Sequence, residues 1–221
     1  MKEDNSKKII LDLCGGTAAW SRPYKEAGYD VRLITLPDHD VRKYDFEHLH
    51  SHEQIYGILA APPCTMFSFT RTNAKKPRDL QEGMECVRAC LDIIWSFMEV
   101  KQDTRFKKCP LEFWALENPY HGFLKKFLGK PAFLFDPWEF GDGYQKRTAI
   151  WGYFNEPTKK PVPMTDEVKK ALKGNRVMNT VKFDYLKSKG IDPEVFRKFD
   201  RQTRRSITPQ GFAQAFFGAN K

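Results

Sequence analysis

The sequence predicts an α/β fold: a doubly wound, mostly parallel sheet with a small basic insert. Three observations predict it. The apolar run Lys8 to Leu13 stops at a Gly-Gly turn, and helical sequence and a second strand-like run follow. Two further apolar runs, Tyr56 to Ala61 and Glu112 to Leu116, each lead into a polar, proline-bearing segment. Between them lies a long stretch with apolar residues at helical spacing.

Taken in order, Lys8 to Leu13 is the first strand, broken by Cys14-Gly15-Gly16-Thr17. A helix is expected from there to about Ala27, with Gly28 as its stop. Tyr29 to Leu36 alternates as a second strand, and Tyr56 to Ala61 is a buried third. Pro77 opens a helix to about Val100, whose stripe is Leu80, Met84, Val87, Leu91, Ile94, Trp95 and Met98. Glu112 to Leu116 is a strand ending in Glu117-Asn118-Pro119, with a short helix around Phe123 to Leu128 after it. Phe133 to Phe135 and Thr148 to Phe154 read as later strands. Thr208 and Pro209 open a last helix carrying Phe212, Ala213, Phe216 and Phe217. The expected units are 1–154 for a catalytic domain, 155–205 for the basic insert and 206–221 for a helix packing back on it.

Composition narrows the class. A chain of 221 residues can bury a full core. Its five cysteines are an odd number without close-set pairs, and no run is long and apolar enough to span a membrane, so a reduced, cytoplasmic protein is expected. The formal charge is +9, and residues 155–205 hold 14 Lys/Arg against 7 Asp/Glu. Such a localised excess suits a polyanion, although charge alone fits a solvated lysine-rich face better. Cys86 and Cys90 stand one helical turn apart, but no second ligand pair accompanies them; core packing is expected, and no metal.

Four segments could carry chemistry. Glycines after the first strand, at Asp12-Leu13-Cys14-Gly15-Gly16-Thr17, allow close backbone approach, and a helix N-terminus beside them would offer N–H groups. Asp12, Asp38 and Asp40, with Val41 next in line, could hold a nucleoside cofactor or simply cap turns. Ala61-Pro62-Pro63-Cys64 puts a thiol at the carboxyl end of a strand, where open α/β sheets place reacting groups, with Ser68 close behind. Glu117 and Asn118 end another strand, and apolar flanks would favour a protonated Glu117. Gln145 and Arg147 enter the strand at Thr148; Arg147 could pair with Glu117, bind a phosphate or belong to a surface basic pair.

In this order, Asp-Leu-Cys-Gly-Gly, Pro-Pro-Cys-x-x-Phe-Ser, Glu-Asn-Pro and Gln-x-Arg resemble the DNA (cytosine-5) methyltransferase family, in a short form like those of phages and prophages. The resemblance spans about Ile9 to Trp151, with a weaker echo in Arg205-Ser206-Ile207-Thr208-Pro209. It implies a Rossmann-like methyltransferase sheet, S-adenosyl-L-methionine as cofactor, and DNA as partner, with base flipping and carbon-5 methylation of cytosine. Cys64 then matches the nucleophile, Glu117 the base-binding acid and Arg147 the first late-motif arginine. Asp12, Cys14, Gly15, Gly16, Thr17, Asp38, Asp40, Val41 and Pro62 fall to the cofactor, and Pro63, Ser68, Asn118 and Gln145 to the substrate. This chain departs from the pattern at Thr65, Pro119 and Ala149, and its insert is short for a target-recognition domain. The competing expectations are cytosine-5 methylation of RNA, pyrimidine chemistry on a free nucleotide, and a nucleic-acid-binding protein without turnover. A monomer is expected.

Overall fold

The computed structural model describes residues 4–46, 54–69, 71, 74–99, 111–142, 144–163 and 192–221. Val100, Cys109 and the insert between 164 and 191 lie outside the described residues.

Six strands form one mixed sheet: β1 (Lys8–Leu13), β2 (Asp30–Ile34), β3 (Gln54–Ala60), β4 (Phe113–Pro119), β5 (Phe133–Phe135) and β6 (Thr148–Tyr153). Their spatial order is β2-β1-β3-β4-β6-β5. The first four in that row are mutually parallel, and β6 runs antiparallel to both β4 and β5. The helices are α1 (Arg22–Glu26), α2 (Leu80–Glu99), α3 (Lys125–Leu128), α4 (Pro193–Lys198), α5 (Arg201–Ser206) and α6 (Gln210–Ala219). The class is therefore α/β, with a mixed sheet.

Strand periodicity splits the core into two layers. Ile9, Leu11 and Leu13 of β1, Ile58 and Ala60 of β3, and Ala149 and Trp151 of β6 pack with Val87, Cys90, Ile93, Ile94 and Phe97 of α2. Residues pointing the other way, among them Ile10, Leu59, Phe113, Ala115 and Ile150, pack with Tyr24 of α1 and Phe212 and Phe216 of α6. Aromatic rings dominate this second layer: Phe212 stacks on Phe135 with centroids 3.8 Å apart. The antiparallel register of β6 places Thr148 opposite Pro119, so the segment entering β6 lies at the same sheet end as the exits of β3 and β4.

Three expectations need correction. The first helix is only Arg22–Glu26, because Cys14, Gly16 and Ala18 all adopt left-handed backbone, which breaks helical continuity after β1. No helix N-terminus therefore adjoins the glycines. The buried stripe of α2 is Val87, Cys90, Ile93, Ile94 and Phe97, whereas Trp95 is 50% exposed and Met98 38%. Apolar residues wrap too much of this helix for one sheet face to cover. Glu117, Asn118 and Pro119 lie within β4 itself rather than beyond it.

No helix among the described residues is long and apolar enough to cross a membrane.

Candidate active site at the strand ends

β1 leads out to β2 on one side, while β3 lies on its other side, which makes the junction at the ends of β1 and β3 the candidate crevice. The Ala61 N–H donates to the Leu13 carbonyl at 2.9 Å and the Cys14 N–H to the Ile34 carbonyl at 2.8 Å, tying the three exits together.

Below this crevice Asp12 is wholly buried and accepts a 2.5 Å hydrogen bond from the Ser21 hydroxyl. Its Oδ1 has no hydrogen-bond partner, and burial pushes the carboxyl up to about 6. A Cβ at Gly15 would lie 2.2 Å from that oxygen, so only glycine lets the turn close over Asp12. Gly16 is exposed, and its N–H donates to Thr35 Oγ1 at 3.3 Å; Thr17 is half-buried beside it.

Farther along, Asp40 caps a short 3-10 turn, Val41–Lys43, and Arg42 grips its carboxylate through the backbone N–H and the guanidinium. Those bonds hold the Asp40 carboxyl down at about 2. Val41 is buried in the α2 layer, and Asp38 is exposed. The capping role weighed for Asp40 is the one its contacts describe. Cys14 packs against Cys86 and Cys90, and a hydrogen bond to Cys14 together with burial drives the Cys90 thiol well up. Among the described residues, no cluster of His, Cys, Asp and Glu could hold a metal ion.

The Cys64 loop is built with more fastenings. Pro62 is buried, and its carbonyl accepts a 2.9 Å hydrogen bond from the Asn118 side chain. Asn118 is 1% exposed, and its Oδ1 is a buried acceptor without a partner. Pro63 is exposed, and Cys64 is partly exposed beside it. The Cys64 carbonyl accepts from the N–H groups of Phe67 and Ser68, curling the chain into a turn. Ser68 then bridges to Gly122, and Phe123 N–H donates to the Phe67 carbonyl at 3.0 Å. The loops after β3 and β4 are thus zipped together.

Arg78, which no sequence pattern singles out, holds this turn from outside. Its guanidinium donates to the Met66 and Ser68 carbonyls and lies over the Phe123 ring, 4.9 Å from the centroid.

Burial pushes the Cys64 thiol up, and the Glu117 charge adds to that; the charges of Lys146 and Arg205 work the other way. The thiol thus shares one electrostatic site with residues from β4, the entry to β6 and α5. Glu117 Oε1 is buried without a hydrogen-bond partner and faces the Lys146 ammonium at 3.6 Å. Arg147 turns away: it pairs with Asp136 at 3.2 Å and Glu139 at 3.7 Å. Adjacent residues of an extended segment point oppositely, so one of the two basic residues had to face Glu117, and that one is Lys146. Gln145 is exposed at the same entry. From α5, Gln202 donates to Thr65 Oγ1 at 3.4 Å, closing the insert's last helix onto the Cys64 loop.

No family model matches this chain, and a search of the curated proteins finds no match either.

Proposed function

We propose that this chain is a methyltransferase of Rossmann-like type that acts on carbon 5 of cytosine in DNA through a covalent Cys64 adduct. The convergence of Cys64, Glu117 and Asn118 at one sheet end carries the proposal. Glu117 presents a buried acceptor oxygen, Oε1, without a protein donor, and Asn118, on the opposite face of β4, holds the Cys64 loop through the Pro62 carbonyl. A buried acceptor of this kind suits a ligand bearing an N–H group.

Cys64 adds through sulfur to carbon 6 of the ring, which makes carbon 5 nucleophilic. Glu117 shares a proton with ring nitrogen N3 as charge develops there. Water takes up the carbon-5 proton, and the electron pair it leaves re-forms the 5,6 double bond as the Cys64 sulfur is expelled. S-adenosyl-L-methionine, when bound, supplies the electrophilic methyl group that carbon 5 takes up. The residues present fit that group in part. The exposed Asp38 remains open to a ligand, whereas Gly16 N–H already donates to Thr35, Asp12 lies beneath the turn and Asp40 is held by Arg42. Asp12 acts there by shaping the turn.

A base inside a duplex cannot reach the partly buried Cys64, so it must be flipped out at a cost of about a few kcal/mol. The basic insert offsets this through phosphate contacts that weaken as salt rises.

Incubation with duplex DNA and S-adenosylmethionine carrying a labelled methyl group tests the proposal. Label should appear as 5-methylcytosine with the wild type and be absent with Cys64→Ser. Equal label with Cys64→Ser removes the nucleophile, and label in matched RNA alone moves the substrate to RNA.

A further inference from the structure

We infer that Lys146, rather than Arg147, is the positioning residue of the Cys64–Glu117 pair: its ammonium balances the Glu117 carboxylate beside the thiol while leaving Glu117 Oε1 free to accept from a substrate. The assignment of a substrate to this site rests on the methyltransferase proposal, whereas the charge relation does not.

The geometry is specific. Lys146 Nζ lies 3.6 Å from Glu117 Oε1, close enough for strong attraction and too far for a hydrogen bond. Both side chains are largely buried, at 20% and 14% exposure, so water screens the pair poorly. Arg147 cannot take this part, because Asp136 and Glu139 hold it on the other face. A guanidinium in hydrogen-bond contact would occupy the carboxylate with its planar fork, whereas a lysine at this distance supplies charge alone.

The groups bearing on the thiol come from three elements. Glu117 of β4 opposes a thiolate; Lys146, before β6, and Arg205 of α5 favour it. Tyr144, next to this segment, is buried, feels both Asp142 and Glu117, and has its hydroxyl driven well up, so it contributes no charge near neutrality. Among the described residues, loss of Lys146 would leave Arg205 to oppose the Glu117 charge at the thiol.

The first readout reports on Cys64 directly and needs no substrate; the second is KM for DNA. The rate of iodoacetamide alkylation at Cys64, followed by mass spectrometry of its peptide, is measured against pH for the wild type, Lys146→Met and Lys146→Arg. The Met variant should move the rising limb up by about one pH unit, or near tenfold slower alkylation at fixed pH on that limb. Lys146→Arg should restore the limb yet raise KM for DNA, because the fork occupies Glu117. Superimposable wild-type and Met profiles, or a shift that Arg does not reverse, overturn the assignment. A shift of the expected size in a protein that never methylates cytosine overturns the methyltransferase proposal and leaves the role of Lys146 in place.

Discussion

Asp12 holds its proton nearer to neutrality than an ordinary aspartate, because burial outweighs the Ser21 hydrogen bond. With the folded value raised from 3.8 to about 6, its favourable contribution is complete below the unfolded value and is lost as pH rises through 6. The difference in unfolding free energy between wild type and Asp12→Asn should therefore change by about 2 kcal/mol between pH 4 and 7, measured by denaturant titration. A flat difference would mean that Asp12 stays ionised. Asn118→Ala should cost about 1–3 kcal/mol, because the Pro62 carbonyl loses its buried donor. It should also slow chemistry at Cys64 more than Pro63→Ala does, since Pro63 is exposed. At this scale the sequence showed Cys64, Glu117 and Asn118 as candidates but could not rank Lys146 over Arg147. Both are basic and adjacent, and only the register of β6 against β4 decides which one faces Glu117.

Elements came through where one face dominated. β1 was legible as Lys8–Leu13 and β5 as Phe133–Phe135, because short apolar runs there end at turn residues. α1 was overestimated because left-handed backbone at Cys14 and Ala18 leaves no mark in residue type. The outward Trp95 escaped notice for a related reason: periodicity reports apolar residues, and the sheet decides which of them it covers. Arg78 carries the element-scale prediction. Arg78→Ala removes the donor to two carbonyls of the Cys64 turn and should destabilise the protein by about 2 kcal/mol. Hydrogen exchange should rise at residues 66–69 while the β1 and β3 amides stay protected; uniform loss of protection would instead show global unfolding.

Across the molecule, the chain's last segment closes on both ends of the crevice. Phe196 and Ile207 pack with Ala19 beside the glycine turn, and Gln202 reaches Thr65 beside Cys64. Beyond them α6 anchors the end of the chain: Phe212 stacks on Phe135, and the Asn220 side chain exchanges hydrogen bonds with the Asn155 backbone. Phe212→Ala should cost about 3–5 kcal/mol in thermal or denaturant unfolding, as a buried ring is lost from the aromatic layer. The clustering of charge in 155–205 was plain in the sequence, but the seat of α4 and α5 on the crevice depends on single contacts far apart in the chain. Arg197 and Lys198 are two exposed basic residues of this segment. Changing both to Gln should lower the salt dependence of DNA binding by about two units of slope.

The addition of Cys64 to a cytosine ring is tested most directly by trapping it. Duplex DNA bearing 5-fluorocytosine, incubated with the protein and S-adenosylmethionine, should give a denaturation-resistant complex, because fluorine at carbon 5 cannot leave as a proton does. Peptide mapping should place the bond on Cys64, and Cys64→Ser should form none. A protein that methylates ordinary cytosine but forms no such complex, or forms it at another residue, would contradict the mechanism.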